Sequence, residues 1–185
     1  MKKLMTFVLL LAITTMSFAQ KNEVKAIEKA LKNSNFADAK SAVSLAEALM
    51  GNMDDKTKAK FYLLKAKALY ANGAGTDVNI DEAITTLDEL KDLESKIGKL
   101  KYTKEANEIS AEMLNSFFTK ANNAFNNKNF KLAAKRFEKV YKMSPKDTLY
   151  LYYAASSAVT AKDYDTALDY YVQLKNLGYT GIALN

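Results

Sequence analysis

The residues of this chain that could perform chemistry are mainly acids, because the sequence contains no histidine and no cysteine. Nucleophilic catalysis by a serine–histidine or cysteine–histidine pair is therefore excluded. Grouped carboxylates, which could act as general acid and base, occur at Asp54 and Asp55, at Asp81 and Glu82, and at Asp88, Glu89 and Asp92. Each group lies near an expected helix start or on a charged helical face, where solvated acids are ordinary. We therefore predict no catalytic residue and no enzymatic activity.

Metal ions and cofactors are not predicted either. The stretch 77–81 alternates like the start of a calcium loop, but Glu82 stands at its sixth position, where such a loop requires glycine. Gly73 and Gly75 are not followed by the Lys-Ser/Thr pair or the third glycine of a phosphate-binding loop. The absence of histidine also removes the commonest metal ligand.

The first 19 residues have the composition of a secretory signal peptide. Two lysines open this leader, the stretch 4–13 is almost entirely apolar, and Ser17 and Ala19 are small residues of the kind that a signal peptidase recognises. The apolar run, at roughly 15 residues, is shorter than the about 20 that a membrane span needs. We expect cleavage before Gln20, no transmembrane segment after cleavage, and export to the periplasm or the outer cell envelope, with an uncleaved anchor as the alternative.

The basic residues argue against nucleic acid as a partner. The formal net charge of +6 falls by two when the leader with its two lysines is removed. Of the 27 basic residues only Arg136 is an arginine. Proteins that read nucleic acids depend heavily on the planar arginine fork, which binds phosphates and guanine edges. We therefore expect a partner other than nucleic acid.

A pattern of apolar and small residues recurs in the C-terminal half at an offset of 34 positions. In the first copy its seven positions are Phe117, Ala121, Ala124, Phe130, Ala133, Phe137 and Val140. In the second copy they are Leu151, Ala155, Ala158, Tyr164, Ala167, Tyr171 and Leu174. A period of about 34 residues with small residues inside each helix is typical of stacked helical hairpins, each burying its apolar face against a neighbour.

Two further hairpins are predicted in the N-terminal half. The stretches 22–33 and 36–50 have apolar residues at helical spacing and form the first hairpin. The second hairpin has a helix that ends near Tyr70 and an inserted segment, 71–77, before helical spacing resumes at Ile80.

The expected domain organisation follows from a charged stretch, 91–101, that separates the two halves. Residues 20–95 would form repeats one and two. Residues 96–185 would form a long helix that begins at Thr103, followed by the rest of repeats three and four.

The two C-terminal copies resemble the tetratricopeptide repeat family, whose motif has a bulky and then a small residue in helix A, and an aromatic, an alanine and a second aromatic residue in helix B. Pro145, the only proline, stands where that family has its closing proline. The family's tryptophan and glycine are replaced by Phe117 or Leu151 and by Ala121 or Ala155. The resemblance implies an all-α, right-handed superhelical array of about four helix-turn-helix hairpins. The leader and the Lys- and Asn-rich composition resemble exported repeat proteins of Bacteroidota.

The same resemblance implies which residues bind a ligand, because helix A of each repeat lines the concave groove in that family. The implied protein-binding residues are Leu63, Lys67 and Tyr70 in repeat two, Asn115, Phe118, Asn122 and Phe125 in repeat three, and Tyr152, Tyr153 and Ser156 in repeat four. Tyr70 and Phe125 are explained at least as well as core residues between repeats.

The function implied is that of a non-enzymatic scaffold of the cell envelope that binds a peptide or protein. Its apolar ending, 179–184, stands where arrays of this kind normally have a polar capping helix. An open C-terminal face that binds a partner or a second copy is therefore expected. The alternatives are the N-terminal adaptor part of a longer envelope protein with a separate functional domain, and a glycan-binding module.

Overall fold

The computed structural model describes residues 20–180, and this part of the chain is helical without any strand. The predicted all-α class is confirmed. The helices are α1 (20–32), α2 (Phe36–Glu47), α3 (Asp55–Tyr70), α4 (Asp77–Ile97), α5 (Thr103–Asn126), α6 (Phe130–Met143), α7 (Leu149–Thr160) and α8 (Tyr164–Asn176). Among the helices of residues 20–180, none combines the length and apolar character needed to cross a bilayer. The predicted signal peptide lies outside the described residues.

The chain forms two compact units, which divide between Ser110 and Ala111, inside α5. The sequence placed the division earlier, between the ranges 20–95 and 96–185. The physical reason for the difference is that the charged stretch is not a linker. It continues α4 to Ile97, and a short connection then leads to α5.

The N-terminal unit is built by helices that pack in chain order, α2 against α3 and α3 against α4. One buried cluster joins α1, α2 and α3, and its members are Val24, Ile27, Ala39, Ala42, Val43, Ala46, Met53, Phe61, Leu64 and Ala68. The helix starts follow from local chemistry. The side chain of Asn35 accepts the amide of Asp38 at the start of α2, and that of Asp54 accepts the amide of Thr57 at the start of α3.

The C-terminal unit has a core in which alanine predominates. Helix α6 packs on α7, and α7 packs on α8. The buried residues are Ala121, Ala124, Ala133, Ala134, Phe137, Leu151, Ala154, Ala155, Ala158, Ala167, Tyr170 and Leu174. Small side chains at the crossings let the helices approach closely, because the distance between packed helices depends on the residues at the contact. The larger residues fill the space beside the crossings.

Three of the turns between paired helices share one backbone geometry. Ser34, Lys128 and Lys162 have positive φ angles of 53°, 60° and 60°, respectively. In each turn the amide of the next residue donates to the carbonyl five positions back, at 2.9, 2.8 and 3.0 Å. A left-handed residue in this place ends a helix and satisfies its last carbonyls. Lys128 and Lys162 are separated by the period of the sequence pattern, so the pattern corresponds to repeated local structure.

The inserted segment predicted after Tyr70 is present as an irregular turn. Ala71 and Asn72 both have positive φ angles, and a 3₁₀ turn, Ala71–Gly73, leads towards α4. A β-carbon on Gly75 would overlap the carbonyl oxygen of Leu69. Glycine is thus required where the chain folds back against the end of α3.

A buried carboxylate from α4 holds the start of α5. Glu94 is only 1% exposed, and it accepts the backbone amides of Tyr102 at 2.9 Å and Thr103 at 2.8 Å. It also accepts the hydroxyl of Thr103 at 2.8 Å. The first amides of a helix have no partner within the helix, and a negative charge is favourable at that end. The first backbone amides of α5 therefore donate to Glu94 of α4 and not to a side chain of α5.

We predict that Glu94→Ala lowers the free energy of unfolding by about 2–3 kcal/mol, because charged hydrogen bonds are lost and amides are left without an acceptor. Urea unfolding followed by circular dichroism measures this loss. Asp92→Ala is the matched control, since Asp92 is an exposed acid on the same helix and its replacement should change stability by less than about 0.5 kcal/mol. Equal unfolding midpoints for the two variants would contradict the structural role of Glu94.

Candidate functional site

A cavity of about 360 Å³ lies in the C-terminal unit between α5, α6 and α7. It is lined by Asn122, Phe125, Phe137, Tyr152, Tyr153, Ser156 and Ser157. Asn122, Tyr152, Tyr153 and Ser156 are among the residues that the sequence predicts to bind a ligand, whereas Phe125 was explained better as a core residue. We call this feature the aromatic cavity.

Helical spacing explains why these side chains share one cavity. On α7, Tyr152 and Tyr153 precede Ser156 and Ser157 by one turn, so the four positions form one side of the helix. Asn122 and Phe125 occupy consecutive turns of α5. Phe137 of α6 is a buried core residue that contributes to the wall.

Ring contacts fix the aromatic walls. The ring of Tyr153 lies 5.4 Å from that of Phe137, measured between centroids. Tyr152 stacks on Tyr179 at 5.8 Å with an interplanar angle of 26°. Phe118 meets Phe137 edge-on, with 6.1 Å between the ring centroids. Such offset and edge-on pairs are favourable geometries for aromatic side chains, so the walls of the cavity are well supported.

Several polar groups around the cavity remain available for a ligand. The side-chain amide of Asn122 donates to the carbonyl of Phe118 at 3.1 Å, which orients the amide. Its oxygen, and the hydroxyls of Tyr152, Tyr153 and Ser156, have no hydrogen-bond partner within residues 20–180. The aromatic cavity thus combines apolar contact surface with hydrogen-bonding groups at its wall.

The aromatic cavity is electrically neutral. Its lining contains no charged side chain, although it lies in a basic protein. Nearby, burial raises the pKa of Tyr171, and the neighbouring Tyr152 and Tyr179 act in the same direction. A wall of this composition suits a ligand that brings apolar groups and neutral hydrogen-bonding groups.

The other predicted binding residues do not line this cavity, and Leu63, Lys67 and Tyr70 belong to the N-terminal unit. Leu63 and Tyr70 are 3% and 8% exposed, so they lie in the interior rather than at a binding surface. The reason is that α3 packs against α2 on one side and α4 on another, which covers most of its circumference. Lys67 forms an ion pair with Glu105, and its ammonium group is already neutralised.

The two remaining predictions fall on α5. Asn115 is exposed and does not line the aromatic cavity. Phe118 is half-buried, and its ring contacts Phe137 and Tyr150. Phe118 therefore supports the wall from behind. Ser157 also lines the cavity but was not predicted. Its hydroxyl donates to the carbonyl of Tyr153 at 2.7 Å, as many helical serines do, so nothing in the sequence distinguishes it from a structural serine.

A polar contact connects α8 to α6 across the C-terminal unit. The hydroxyl of Tyr170 donates to a carboxylate oxygen of Glu138 at 2.8 Å, and Lys142 pairs with the other oxygen at 2.6 Å. Burial acts to raise the pKa of Glu138, but the hydrogen bonds from Lys142 and Tyr170 outweigh it, so this pKa lies below its usual value. Burial and the bond to Glu138 raise the pKa of Tyr170.

Comparison of the chain with protein-family models, with curated proteins and with solved structures finds no match. The resemblance to tetratricopeptide repeats thus rests on the residues of this sequence and their spacing.

We predict that Tyr170→Phe lowers the free energy of unfolding at neutral pH by about 1 kcal/mol, because Glu138 loses a donor. The pKa of Glu138 is lowered by folding, so its contribution is present above about pH 4.3 and is lost as the pH falls through the folded value. The difference between the two proteins should therefore be unchanged from neutral pH down to about pH 5 and should shrink at lower pH.

Urea unfolding at several pH values measures this difference. Tyr164→Phe is the control, because Tyr164 is an exposed tyrosine on the same helix. A destabilisation by Tyr170→Phe that stays constant over the whole acidic range would contradict the assigned hydrogen bond.

Proposed function

We propose that this protein is a non-enzymatic scaffold of the cell envelope that binds a peptide or protein segment in the aromatic cavity. One observation carries the proposal: Asn122, Tyr152, Tyr153 and Ser156, which the resemblance to tetratricopeptide repeats implies as binding residues, line the same cavity. Their positions on two separate helices, α5 and α7, make this convergence informative.

The chemistry of the cavity favours a peptide. Tyrosine provides a large, rigid contact area and loses little conformational entropy on binding. The unpaired oxygen of Asn122 and the free hydroxyls of Tyr152 and Tyr153 match the amides and carbonyls that an extended peptide presents. A cavity of about 360 Å³ holds a small part of such a segment, so the rest of the partner would lie along the adjacent surface.

We also propose that the hairpins form a right-handed superhelical array like that of tetratricopeptide repeats. The shared turn geometry at Ser34, Lys128 and Lys162 supports this arrangement, as does the packing of consecutive helices within each unit. The leader, 1–19, supports export to the periplasm or cell surface. The partner is then a component of the envelope or of the medium.

A second docking surface is the exposed face of α8. Tyr164, Leu168 and Val172 follow one another at intervals of four residues and are 64%, 62% and 48% exposed. This stripe is an unusually apolar surface for a helix that packs on only one side. We call it the α8 face.

The C-terminal unit contains a covered counterpart of the α8 face. The positions one period earlier are Phe130, Ala134 and Glu138 on α6. Ala134 is only 3% exposed in the core, and Glu138 is bound by Tyr170 of the following hairpin. The same surface of α6 is thus covered by protein, which supports docking of another helix on the α8 face.

We propose that a second copy of the chain provides that helix. If the two α8 helices lie antiparallel, Leu168 of one copy would approach Val172 of the other. Asp165 near one end would then face Lys175 near the other end. Each contact of a two-fold symmetric interface occurs twice, so this arrangement would join apolar contact with two pairs of opposite charges.

We predict that peptides selected from a random displayed library on the mature protein bind at the aromatic cavity. Tyr152→Ala removes one wall of the cavity, and Ser156→Phe fills its space. Each should lower the affinity for such peptides by about tenfold or more, as expected for a central aromatic anchor. Fluorescence titration measures the affinity, and helical circular dichroism confirms that each variant folds. Tyr164→Ala, which removes a tyrosine from the α8 face, is the control and should leave the affinity unchanged.

Failure to select any peptide, or selected peptides that ignore both cavity variants, would contradict the proposed site. A glycan-array signal that disappears in Tyr152→Ala would instead assign the aromatic cavity to a carbohydrate.

We predict that the mature protein dimerises weakly and that Leu168→Glu makes it monomeric at all concentrations, because a charge would be buried at the centre of the interface. Sedimentation equilibrium over a concentration series measures this. Ser144→Glu adds the same charge outside the α8 face and serves as the control. A wild-type protein that remains monomeric at the highest soluble concentration would rule out the second copy as the occupant.

A further inference from the structure

A second cavity, of about 320 Å³, lies within the N-terminal unit and is surrounded by basic side chains. Its lysines are Lys21 and Lys25 of α1, Lys56 and Lys60 of α3, and Lys101 of the segment before α5. The other lining residues are Val24, Asp54, Thr57 and Tyr102. We call this feature the basic cavity. It shares no residue with the aromatic cavity.

Two acids near the basic cavity, Asp54 and Glu28, already have hydrogen-bonding partners. The carboxylate of Asp54 accepts the amide of Thr57 at 2.7 Å at the start of α3. The hydrogen bonds from Thr57 lower the pKa of Asp54, and the charges of Lys21 and Lys56 act in the same direction. The acid of α1 that reaches this region, Glu28, pairs with Lys60 at 2.6 Å.

Most of the lysines, by contrast, lack an anionic partner. Lys21, Lys25, Lys56 and Lys101 form no ion pair or hydrogen bond with an acid within the described chain. Five lysines line the basic cavity against one lining carboxylate, that of Asp54, so a net positive potential remains, which an anion from solution can neutralise. The basic cavity therefore has an excess of positive charge in a concave place.

The positive surface continues into an adjoining cavity. This neighbour shares Lys56, Lys101 and Tyr102 with the basic cavity and adds Lys99. Two carboxylates line this neighbour. Asp55, in the first turn of α3, is exposed and is outnumbered by the three lysines. Glu94 is buried and bound to the first amides of α5. Its charge is therefore compensated within the protein and does not neutralise the lysines.

Tyr102 is held in place at the edge of the basic cavity. Its backbone amide is held by Glu94 at 2.9 Å, and the ammonium group of Lys101 lies 4.9 Å from the centre of its ring. An ammonium group over an aromatic face is a favourable contact that orients the lysine. Tyr102 and Lys101 thus place one cation at the boundary between the two cavities.

We propose that the basic cavity binds a phosphate or sulfate ester group of a small molecule. Lysine is a compact, strongly hydrated point charge without the planar fork of arginine, so charge density rather than planar shape determines which anion binds. A phosphate monoester carries a charge of about −1.5 to −2 at neutral pH. Several neighbouring lysines therefore attract it more strongly than they attract a ligand with one carboxylate group. The proposal uses only residues of the N-terminal unit and does not depend on the proposed peptide site.

The test is an isothermal titration of the mature protein with inorganic pyrophosphate at low ionic strength, where exposed charges are least screened. Glucose 6-phosphate and glucose 6-sulfate then identify which ester is preferred, and binding of either supports the site. Sodium acetate serves as the singly charged comparison. Pyrophosphate should bind with measurable affinity, and acetate should bind far more weakly.

The double variant Lys56→Gln, Lys101→Gln removes two charges from the basic cavity. It should lower the affinity for pyrophosphate by about tenfold or more, since close charge pairs dominate such binding. Lys135→Gln with Lys146→Gln removes the same charge from exposed positions in the C-terminal unit and should leave the affinity within about twofold, because distant exposed charges are screened.

Circular dichroism checks that both double variants fold. The single variant Lys25→Gln, at an exposed position, is a milder change that should also lower the affinity for pyrophosphate. Equal losses in the two double variants would show that net charge alone attracts the anion, and this would overturn the site. Absence of pyrophosphate binding, or acetate binding of equal strength, would also overturn it.

Discussion

Close approach of helices through alanine is the constraint on which the C-terminal unit depends. Ala154, Ala155 and Ala158 of α7 are almost fully buried where this helix packs against α6 and α8. Larger residues at these positions would separate the helices, since well-packed cores accept added volume only at a cost of about 1–3 kcal/mol. The close crossings bring α5, α6 and α7 near enough for side chains beside the alanines to enclose the aromatic cavity.

The two units carry opposite kinds of binding chemistry. The aromatic cavity has no charged lining residue and depends on contact area and neutral hydrogen bonds. The basic cavity depends on lysines whose neighbouring acids, Asp54 and Glu28, already have partners. The first should therefore be insensitive to salt, whereas an anion in the second should be weakened by it. Each feature belongs to one unit, so the two can be tested separately.

Local features of the fold could be predicted from the sequence because they depend on neighbouring residues. The start of α5 at Thr103 follows from helical spacing, and the irregular segment after Tyr70 follows from its turn-forming residues. The tyrosines of α7 were indicated by the resemblance to tetratricopeptide repeats, in which helix A lines the groove. Contacts between distant residues leave no such signal. Nothing in the sequence marks Glu94 as the acceptor for α5.

The burial of Leu63 and Tyr70 also depends on distant contacts. Helical spacing identifies the side of α3 that carries them, but only the packing of α2 and α4 decides whether that side is covered. The division of the chain within α5 could not be predicted from the sequence either. The charged stretch 91–101 has the composition of a linker, although most of its residues belong to α4. The same limit applies to the basic cavity, whose lysines are far apart in sequence and come together through the packing of α1 and α3.

Hydrogen exchange of the intact chain, followed by mass spectrometry at low protein concentration, tests most directly whether neighbouring hairpins cover one another. Helix α7 packs against α6 and α8, whereas α8 has an open apolar face. Amides buried under two neighbours open only with larger unfolding events and so exchange more slowly. We expect the amides of α7 to exchange more slowly than those of α8. Equal exchange in the two helices, or faster exchange in α7, would contradict it.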